Sequence, residues 1–350
     1  MIDKSEMNEL RERVEDLLDN QIRDWELVRT NTYALASLKT RYLYIKDFPV
    51  ILQFNPERIR SSAAKTDTAS LQARPCFFCH RPEEQYGIDY NDAFDILVNP
   101  YPISSGHLTI PLKWHEDQQI LPYYEDMLWL AHDLQDYAVF YNGPKCGASA
   151  PDHMHFQAME LGNLPIEMNY KKASKGIVWE GRNTVLYVLY DFMASAFLLI
   201  SSDLREADYA FKQLYAQLEI KEGDSEPMMN VVTWKDEDNW KDEDNWKDED
   251  NWKDEDNWKD EDNWKDEDNW ISCIFPRKEL RPSCFYAEGD ANILISPATV
   301  EMAGLFITPL EKDFDKVTSE DLETILREVS ISEEEKNEIV RKMIQSSSRK

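Results

Sequence analysis

The sequence has few cysteines, a shortage of positive charge and no long uncharged apolar run. Five cysteines in 350 residues are too few for a disulfide framework. Lys and Arg number 39 against 68 Asp and Glu, a formal net charge of −29, and so acidic a chain repels polyanions at long range. The most apolar stretch, 185–200, is interrupted by Asp191, whereas a membrane helix needs about 20 predominantly apolar residues. These shortages argue against a nucleic-acid-binding protein and against a membrane span.

The rest of the composition is that of a globular protein. Hydrophobic residues make up 42% and aromatic residues 12% of the chain, and its length suggests two domains or one internally duplicated domain. The first residues are charged from Asp3 onward and lack the apolar core of a signal peptide. We therefore expect a cytoplasmic protein.

Hydrophobic periodicity predicts alternating strands and helices. A docking helix is expected over 5–29 with Ser5 as its cap, and a charged helical pair over 319–344. The other predicted helices are 121–140 and 204–218. The predicted strands are 42–45, 50–54, 94–98, 107–110, 154–159, 184–200 with or without a bend, 228–234 and 271–275.

The hexapeptide Lys-Asp-Glu-Asp-Asn-Trp occurs six times without error from Lys235 to Trp270. On a helix, one Trp every six residues would not line up into an apolar stripe, and Asp and Asn are poor strand formers. Neither a helix nor a strand is therefore favoured for the repeat. Because apolar strands are predicted on both sides, the repeat reads as a tandem expansion of one polar hairpin turn, a solvated loop. The alternative is an acidic array that binds divalent cations.

The segment with the most chemical information is 146–157, Cys-Gly-Ala-Ser-Ala-Pro-Asp-His-Met-His-Phe-Gln. In a strand, a period of two places His153, His155 and Gln157 on one face. Gly147 and Ser149 suit a phosphate, because glycine allows a close backbone approach and serine adds a hydroxyl donor. Taken alone, two structural histidines in a hydrogen-bonded strand would explain this pattern equally well.

Two further motifs accompany this segment. Cys76 and Cys79 have the spacing of a zinc knuckle, and His107 and His115 flank an apolar run that ends in Pro111. In this order the motifs resemble the histidine triad superfamily. The terminal Gln157 narrows the resemblance to the nucleotidyltransferase branch, which includes galactose-1-phosphate uridylyltransferase, diadenosine tetraphosphate phosphorylase and the GDP-hexose phosphorylases.

The resemblance is greatest to the GDP-hexose phosphorylases and runs from about residue 50 to 310. Its motifs are Gln53-Phe54-Asn55-Pro56-Glu57-Arg58, Gly147-Ala148-Ser149, Phe275-Pro276-Arg277-Lys278, Arg281-Pro282, Ile295-Ser296-Pro297 and the run from Gly304 to Pro309.

This resemblance implies a mechanism. His155 would be the nucleophile that attacks an α-phosphorus to give a nucleotidyl-histidine, with its other ring nitrogen held by a hydrogen bond, most naturally to a backbone carbonyl. Gln157 would donate to a phosphate oxygen in the transition state. The other expected contacts are phosphate binding by Asn142, Gly147 and Ser149 and nucleotide binding by Asn55 and Arg58.

Zinc-bearing members of the superfamily imply a structural zinc ion bound by Cys76, Cys79, His115 and His153. Four protein ligands close a tetrahedral site, so the metal would not activate water. His153 could instead contact phosphate, although the ligand role is favoured. His107 is expected to form structural hydrogen bonds beside the nucleotide, and His80 and His132 to have no role.

The implied fold class is α+β, a duplicated histidine-triad-like fold of two antiparallel sheets with packed helices. The expected division is a docking helix (1–40), a catalytic half (41–180), a second half with the repeat (181–310) and a helical tail (311–350). The second half contains no histidine, so only one site could be active.

The best single assignment is phosphorolysis of a GDP-hexose to a hexose 1-phosphate and GDP. The expected partners are a nucleotide sugar and either phosphate or a sugar phosphate, in a chain that could be a homodimer. Three alternatives stay open. They are a related transferase or hydrolase of UDP-sugars or dinucleoside polyphosphates, a metal-dependent enzyme using His107, His153 and His155, and a non-catalytic nucleotide sensor.

Overall fold

The computed structural model describes residues 4–59, 73–236 and 269–347. The helices in these ranges are α1 (Lys4–Asp24), α2 (Glu26–Ala34), α3 (Tyr124–Asp133), α4 (Ile166–Lys172), α5 (Leu204–Tyr215), α6 (Ser283–Tyr286), α7 (Thr299–Met302), α8 (Glu311–Lys316), α9 (Ser319–Val329) and α10 (Glu333–Ser347). The strands are β1 (Lys39–Ile45), β2 (Phe48–Phe54), β3 (Gly87–Tyr90), β4 (Phe94–Val98), β5 (Leu108–Pro111), β6 (Tyr137–Asn142), β7 (His155–Glu160), β8 (Ser174–Glu180), β9 (Thr184–Tyr190), β10 (Phe197–Ser201), β11 (Met229–Asp236), β12 (Asn269–Pro276) and β13 (Leu305–Thr308).

A ten-stranded sheet shows the internal duplication directly. Its order is β3-β4-β5-β7-β6-β11-β12-β10-β9-β8. From the outer edge to the centre, one half reads β3-β4-β5-β7-β6 and the other reads β8-β9-β10-β12-β11, so in both halves the fifth strand in sequence lies between the third and the fourth. Each half also carries one helix, α3 or α5, between its third and fourth strands in sequence. Every strand pair in this sheet is antiparallel. The predicted duplicated α+β fold is therefore confirmed, with one difference. The two sheets are joined into one, because β6 pairs with β11 from Val139↔Thr233 to Asn142↔Asn230.

A second, three-stranded sheet was not foreseen. It has the order β1-β2-β13, and β13 runs parallel to β2 from Leu305↔Ile51 to Thr308↔Phe54. Residues 41–54 therefore lie outside the sheet of the catalytic half to which the sequence assigned them. The pairing joins segments about 250 residues apart, which no local pattern reveals.

The two ends of the chain are part of the core rather than a docking helix and a tail. The predicted first helix is broken at Trp25 into α1 and α2, and Ser5 lies inside α1 instead of capping it. Leu10, Val14 and Leu17 of α1 are buried in the same hydrophobic cluster as β3 and β4. At the other end α9 is amphipathic, as predicted, and buries Leu322, Ile325, Leu326 and Val329. None of the helices in the described ranges combines the length and apolar character that crossing a bilayer requires.

Two predicted elements are divided. The helix expected over 121–140 ends at Asp133, and Tyr137–Asn142 forms strand β6. Its Tyr-Ala-Val-Phe-Tyr sequence suits a fully buried strand, which periodicity alone does not separate from a buried helix. The predicted strand 184–200 is a hairpin of β9 and β10, with Asp191 at a positive φ of 48° just after β9.

The ends of the hexapeptide repeat lie in strands β11 and β12. Lys235 pairs with Trp270 and Asp236 with Asn269, as the hairpin interpretation requires. The Trp270 indole is 5% exposed, donates through Nε1 to the Leu128 carbonyl and lies 3.8 Å beneath the Lys235 ammonium. Residues 237–268 lie outside the described residues. The solvated-loop prediction and its cation-binding alternative concern these residues, and both stay predictions.

This register predicts the effect of shortening the repeat. Deletion of residues 241–270 leaves one hexapeptide, in which Trp240 directly precedes Ile271 and can take the position of Trp270. We expect the melting temperature to stay within about 2 °C of the parent, which corresponds to a change in unfolding free energy below ~1 kcal/mol.

The control is Trp270→Ala in the full-length chain, which should lower the free energy of unfolding by about 3–5 kcal/mol because a buried aromatic ring is lost. Equal melting temperatures for the parent and Trp270→Ala would contradict the anchoring role of this ring.

Candidate active site

A cavity of about 720 Å³ lies where β6 ends and β7 begins, between the 74–85 loop, the 147–150 loop and α7. The sequence-predicted residues that line it are Arg58, Asn142, Gly147, Ser149, His155 and Gln157. Asn55 is not among the lining residues. Its buried side-chain amide donates instead to the Pro102 carbonyl at 3.4 Å, so its role in the structure is to hold the adjoining loop.

His155 is the first residue of β7 and is 2% exposed. Its Nδ1–H donates to the His153 carbonyl oxygen at 2.8 Å. Burial lowers the pKa of His155 to about 4, so the ring is neutral at pH 7 and carries its only proton on Nδ1. The lone pair of Nε2 is therefore available for attack on a ligand in the cavity.

Gln157 is oriented by His107. The Nδ1 of His107 accepts from the Ile103 N–H at 3.2 Å, which places the proton on Nε2, and that Nε2–H donates to Gln157 Oε1 at 2.9 Å. Burial, and then the charge of Arg58, lower the pKa of His107 to about 3, so its ring stays neutral. Because Gln157 Oε1 is occupied, the amide NH₂ is the end of this side chain that can serve a ligand as donor.

The 147–150 loop approaches the C-terminal segment closely. Gly147 has a φ of +98°, and a Cβ at this position would lie 2.5 Å from the Ala298 Cβ. Only glycine therefore fits this turn without displacing α7. Beside the loop, Arg74 donates to Asp152 at 2.7 Å and to the Ser149 carbonyl at 3.5 Å, which places a guanidinium on the cavity wall next to Ser149.

A second guanidinium and one carboxylate also line the cavity. Arg58 donates to the Tyr101 carbonyl at 2.8 Å, and burial lowers its pKa to about 10, so it is still protonated at pH 7. Glu301 of α7 accepts from the Ala298 N–H, and burial raises its pKa to about 7. The cavity thus combines two cations with one buried acid whose pKa is raised, which is suitable for a phosphate-bearing ligand in a strongly acidic protein.

Asn142 lines the cavity, but its side-chain oxygen is already engaged. Oδ1 accepts from the Thr299 N–H at 2.8 Å and from Asn230 Nδ2 at 3.1 Å. Asn230 Oδ1 accepts in turn from the buried Arg277 guanidinium. These bonds connect the cavity wall to β11, to α7 and to Arg277, the residue that follows β12, so the half without histidine supports the half with the histidines.

Cys76, Cys79, His115 and His153 converge beside the cavity, with their donor atoms all within 4.8 Å of one another. Cys76 Sγ lies 3.2 Å from His153 Nδ1, and Cys79 Sγ lies 3.4 Å from His115 Nδ1 and 3.6 Å from His153 Nδ1. Sulfur and nitrogen ligands of a tetrahedral zinc ion are separated by about 3.5 Å. The donor set therefore fits zinc.

The tautomer of His153 agrees with a ligand role. Its Nε2–H donates to the Leu112 carbonyl at 2.8 Å, which leaves the Nδ1 lone pair directed at the two cysteines. Metal-binding histidines are commonly fixed in this way. The three-histidine alternative is not supported by the geometry, because both ring nitrogens of His107 are hydrogen-bonded and His155 Nδ1 faces the main chain.

Sequence reasoning missed several residues of the cavity. Arg74 stands two positions before Cys76, which is the only local signal it has. Phe78 lies between the cysteines, with its ring 5.0 Å from His155 and 5.2 Å from His153. Trp25 and Glu301 also line the cavity. Both come from segments far from β7 in sequence, so only the folded chain shows their proximity.

Two family models match the chain. One is described as a domain of unknown function, DUF4922, and covers residues 17–160. The other is described as the GDPGP1-like C-terminal domain and covers residues 271–350. No curated protein matches the sequence.

Among solved structures the chain is similar to the yeast Ap4A phosphorylase Apa2. The complex with Ap4A has 14% sequence identity and a TM-score of 0.57, covering 91% of this chain and 97% of that one. The complex with AMP also has 14% identity, with a TM-score of 0.55 over 89% of this chain and 96% of that one. At such identities the likeness concerns the fold. The chain thus shares the fold of this phosphorylase, and its C-terminal region, 271–350, matches the GDPGP1-like C-terminal domain.

Proposed function

We propose that this protein is a nucleotidyltransferase of the phosphorylase type that acts through a nucleotidyl-histidine. The observation that carries the proposal is His155, a buried neutral imidazole with its proton fixed on Nδ1, in the same cavity as the amide of Gln157. A neutral ring with a directed lone pair is what a nitrogen nucleophile needs.

The proposed reaction has two displacements at one phosphorus. His155 Nε2 attacks the α-phosphorus of a nucleoside diphosphate sugar, the P–N bond forms, and the bond to the bridging oxygen breaks to release the sugar 1-phosphate. Inorganic phosphate then attacks the same phosphorus, the P–N bond breaks and a nucleoside diphosphate leaves. His155 recovers its lone pair, and no oxidant or water is consumed.

The surrounding groups suit the charge that develops in each displacement. The Gln157 amide donates to a non-bridging oxygen, and its orientation is set in advance by His107, so little reorganisation is needed. Arg58 and Arg74, which both line the cavity, offset the charge of the phosphates. Gly147 and Ser149 complete the phosphate site.

A GDP-hexose is the proposed donor, with phosphate as acceptor. The motifs that resemble the GDP-hexose phosphorylases include four between Phe275 and Pro309, within the region matched by the GDPGP1-like model. A dinucleoside polyphosphate is the second candidate donor, since the fold is similar to that of a protein solved with Ap4A. Both donors would be cleaved by the same attack.

We propose further that Cys76, Cys79, His115 and His153 hold a structural zinc ion. A bound zinc ion in this closed set supplies a cross-link between the loop that carries Phe77 and Phe78 and the start of β7. The chain's own contribution is to fix His153 through the Leu112 carbonyl and thereby to place the His153 carbonyl that holds His155.

Intact mass spectrometry after brief incubation with GDP-glucose, UDP-glucose or Ap4A, each without phosphate, tests the covalent step. We expect a mass gain of one GMP from GDP-glucose, none with His155→Ala, and an unchanged gain with His132→Gln, a histidine remote from the cavity. A gain of UMP or AMP would reassign the donor. An adduct that persists in His155→Ala, or the absence of any adduct, would refute the proposed nucleophile.

Replacing Gln157 separates transition-state stabilisation from binding. Gln157→Leu removes the donor while preserving volume, and should lower kcat by about 10²- to 10³-fold with a much smaller change in KM. Steady-state kinetics of phosphorolysis provides the measurement. A loss confined to KM would show that the amide serves ground-state binding only.

Metal analysis tests the zinc proposal. The purified chain should contain one zinc ion per molecule by elemental analysis, and Cys79→Ser should lose it, whereas the control Cys284→Ser should retain it. The melting temperature of Cys79→Ser should fall by several degrees, since each kcal/mol shifts it by ~2–4 °C in domains of this size. Full zinc content in Cys79→Ser would contradict the assigned ligand set.

A further inference from the structure

Gln118 is a fully buried polar residue near the cavity to which the proposed chemistry assigns no role. It is 0% exposed. Its Oε1 accepts from the His155 N–H at 2.8 Å, and its Nε2 donates to the His155 carbonyl and to the Asn142 carbonyl, each at 3.0 Å. One side chain therefore satisfies both main-chain groups of the candidate nucleophile.

The strand register explains why this amide is needed. β6 and β7 pair from Tyr137↔Glu160 to Phe140↔Gln157, and the ladder stops there. Two residues further along, the same register would place Asn142 opposite His155, where an antiparallel ladder would join their main chains directly. The Gln118 side chain bonds at this point to three of the four main-chain groups that such a pair would join, namely the His155 N–H, the His155 carbonyl and the Asn142 carbonyl.

Opening the ladder contributes to the cavity. Beyond the last pair, β6 and β7 separate by the width of an amide group, and residues of both strands line the space: Phe140 and Asn142 from β6, His155 and Gln157 from β7. A directly paired ladder would close β6 onto His155. The buried amide makes this opening while keeping the His155 N–H, the His155 carbonyl and the Asn142 carbonyl hydrogen-bonded, and leaving such buried groups unpaired would be costly.

The segment that carries Gln118 is itself fixed on both sides. The Gln118 N–H donates to the Pro151 carbonyl at 3.1 Å, and the Glu116 carbonyl accepts from the Met154 N–H at 2.6 Å. These bonds clamp 116–118 against 151–154, the segment that leads into β7. The position of Gln118 is thus coupled to that of the His153 carbonyl, which holds the His155 ring.

From this geometry we infer that Gln118 is a positioning residue for His155. It holds the nucleophile's main chain and keeps β6 away from β7, so that Nε2 faces a bound phosphorus. The inference rests on the proposed function for its kinetic consequence, but the structural part stands independently of it. A displacement of about 1 Å in a reacting group can cost ~10²-fold in rate.

Gln118→Leu keeps the volume of the side chain and removes all three hydrogen bonds. Asn169→Leu is the matched control, because Asn169 is also a buried amide that donates to a main-chain carbonyl, Pro49, but lies outside the cavity lining. Circular dichroism first establishes that both variants are folded. A Gln118→Asn variant, which retains the amide on a shorter stem, is used if Gln118→Leu does not fold.

The kinetic measurement is the rate of nucleotidyl-enzyme formation and the kcat and KM of phosphorolysis. Gln118→Leu should lower kcat and the rate of adduct formation by about 10²-fold with KM changed by less than about threefold. Asn169→Leu should leave both within about twofold of the parent. A parent-like rate of adduct formation in folded Gln118→Leu would overturn the inference.

The second measurement needs no substrate. Amide hydrogen exchange at His155, followed by NMR, should be at least about tenfold faster in the Gln118 variant than in the parent, a factor that corresponds to ~1.4 kcal/mol of lost protection. It should not change in Asn169→Leu. Unchanged exchange at His155 would overturn the positioning role. If the parent forms no adduct with any donor, the proposed function fails, and the exchange result alone decides the role of Gln118.

Discussion

The hydrogen bond from His155 Nδ1 to the His153 carbonyl is the contact on which the rest of the site depends. It determines which nitrogen carries the proton and therefore which one can attack. The residue that provides the carbonyl directs its own ring toward Cys76 and Cys79. His153 thus contacts the cysteines through its ring and His155 through its carbonyl. A shift of His153 must therefore also move His155. Burial of both rings makes this connection stiff.

The duplicated fold gives its two halves different tasks. The first half contains all six histidines of the chain, whereas the second contains none. The second half supplies Asn230, which donates to the Asn142 side chain, the Cys146 carbonyl and Thr299 of α7. Arg277 holds Asn230 from the other end by donating to its Oδ1. The second half keeps the sheet but has no histidine, and it serves as structural support for the site of the first half. The junction of β6 with β11 joins this support to the first half.

The parts of the site that the sequence predicted are those encoded by short motifs. The alternation in 153–157 and the close spacing of Cys76 and Cys79 carry their geometry locally, and the family resemblance implies the hydrogen-bonding role of His107. Gln118, Arg74 and Glu301 have no such pattern, because their function depends on which distant segments they meet. The same reason explains the errors in the fold. The β2–β13 pairing is long-range, and β6 reads as helix or strand until its neighbours β7 and β11 are known.

Isotope exchange tests the proposed covalent transfer through His155 most directly. The protein is incubated with GDP-glucose and ¹⁴C-labelled glucose 1-phosphate, with no phosphate present. Two displacements at His155 predict that label enters GDP-glucose, because the first half-reaction is reversible on its own, and that His155→Ala abolishes this exchange. Label that enters GDP-glucose only when phosphate or GDP is added would show direct transfer between bound substrates and contradict the nucleotidyl-histidine.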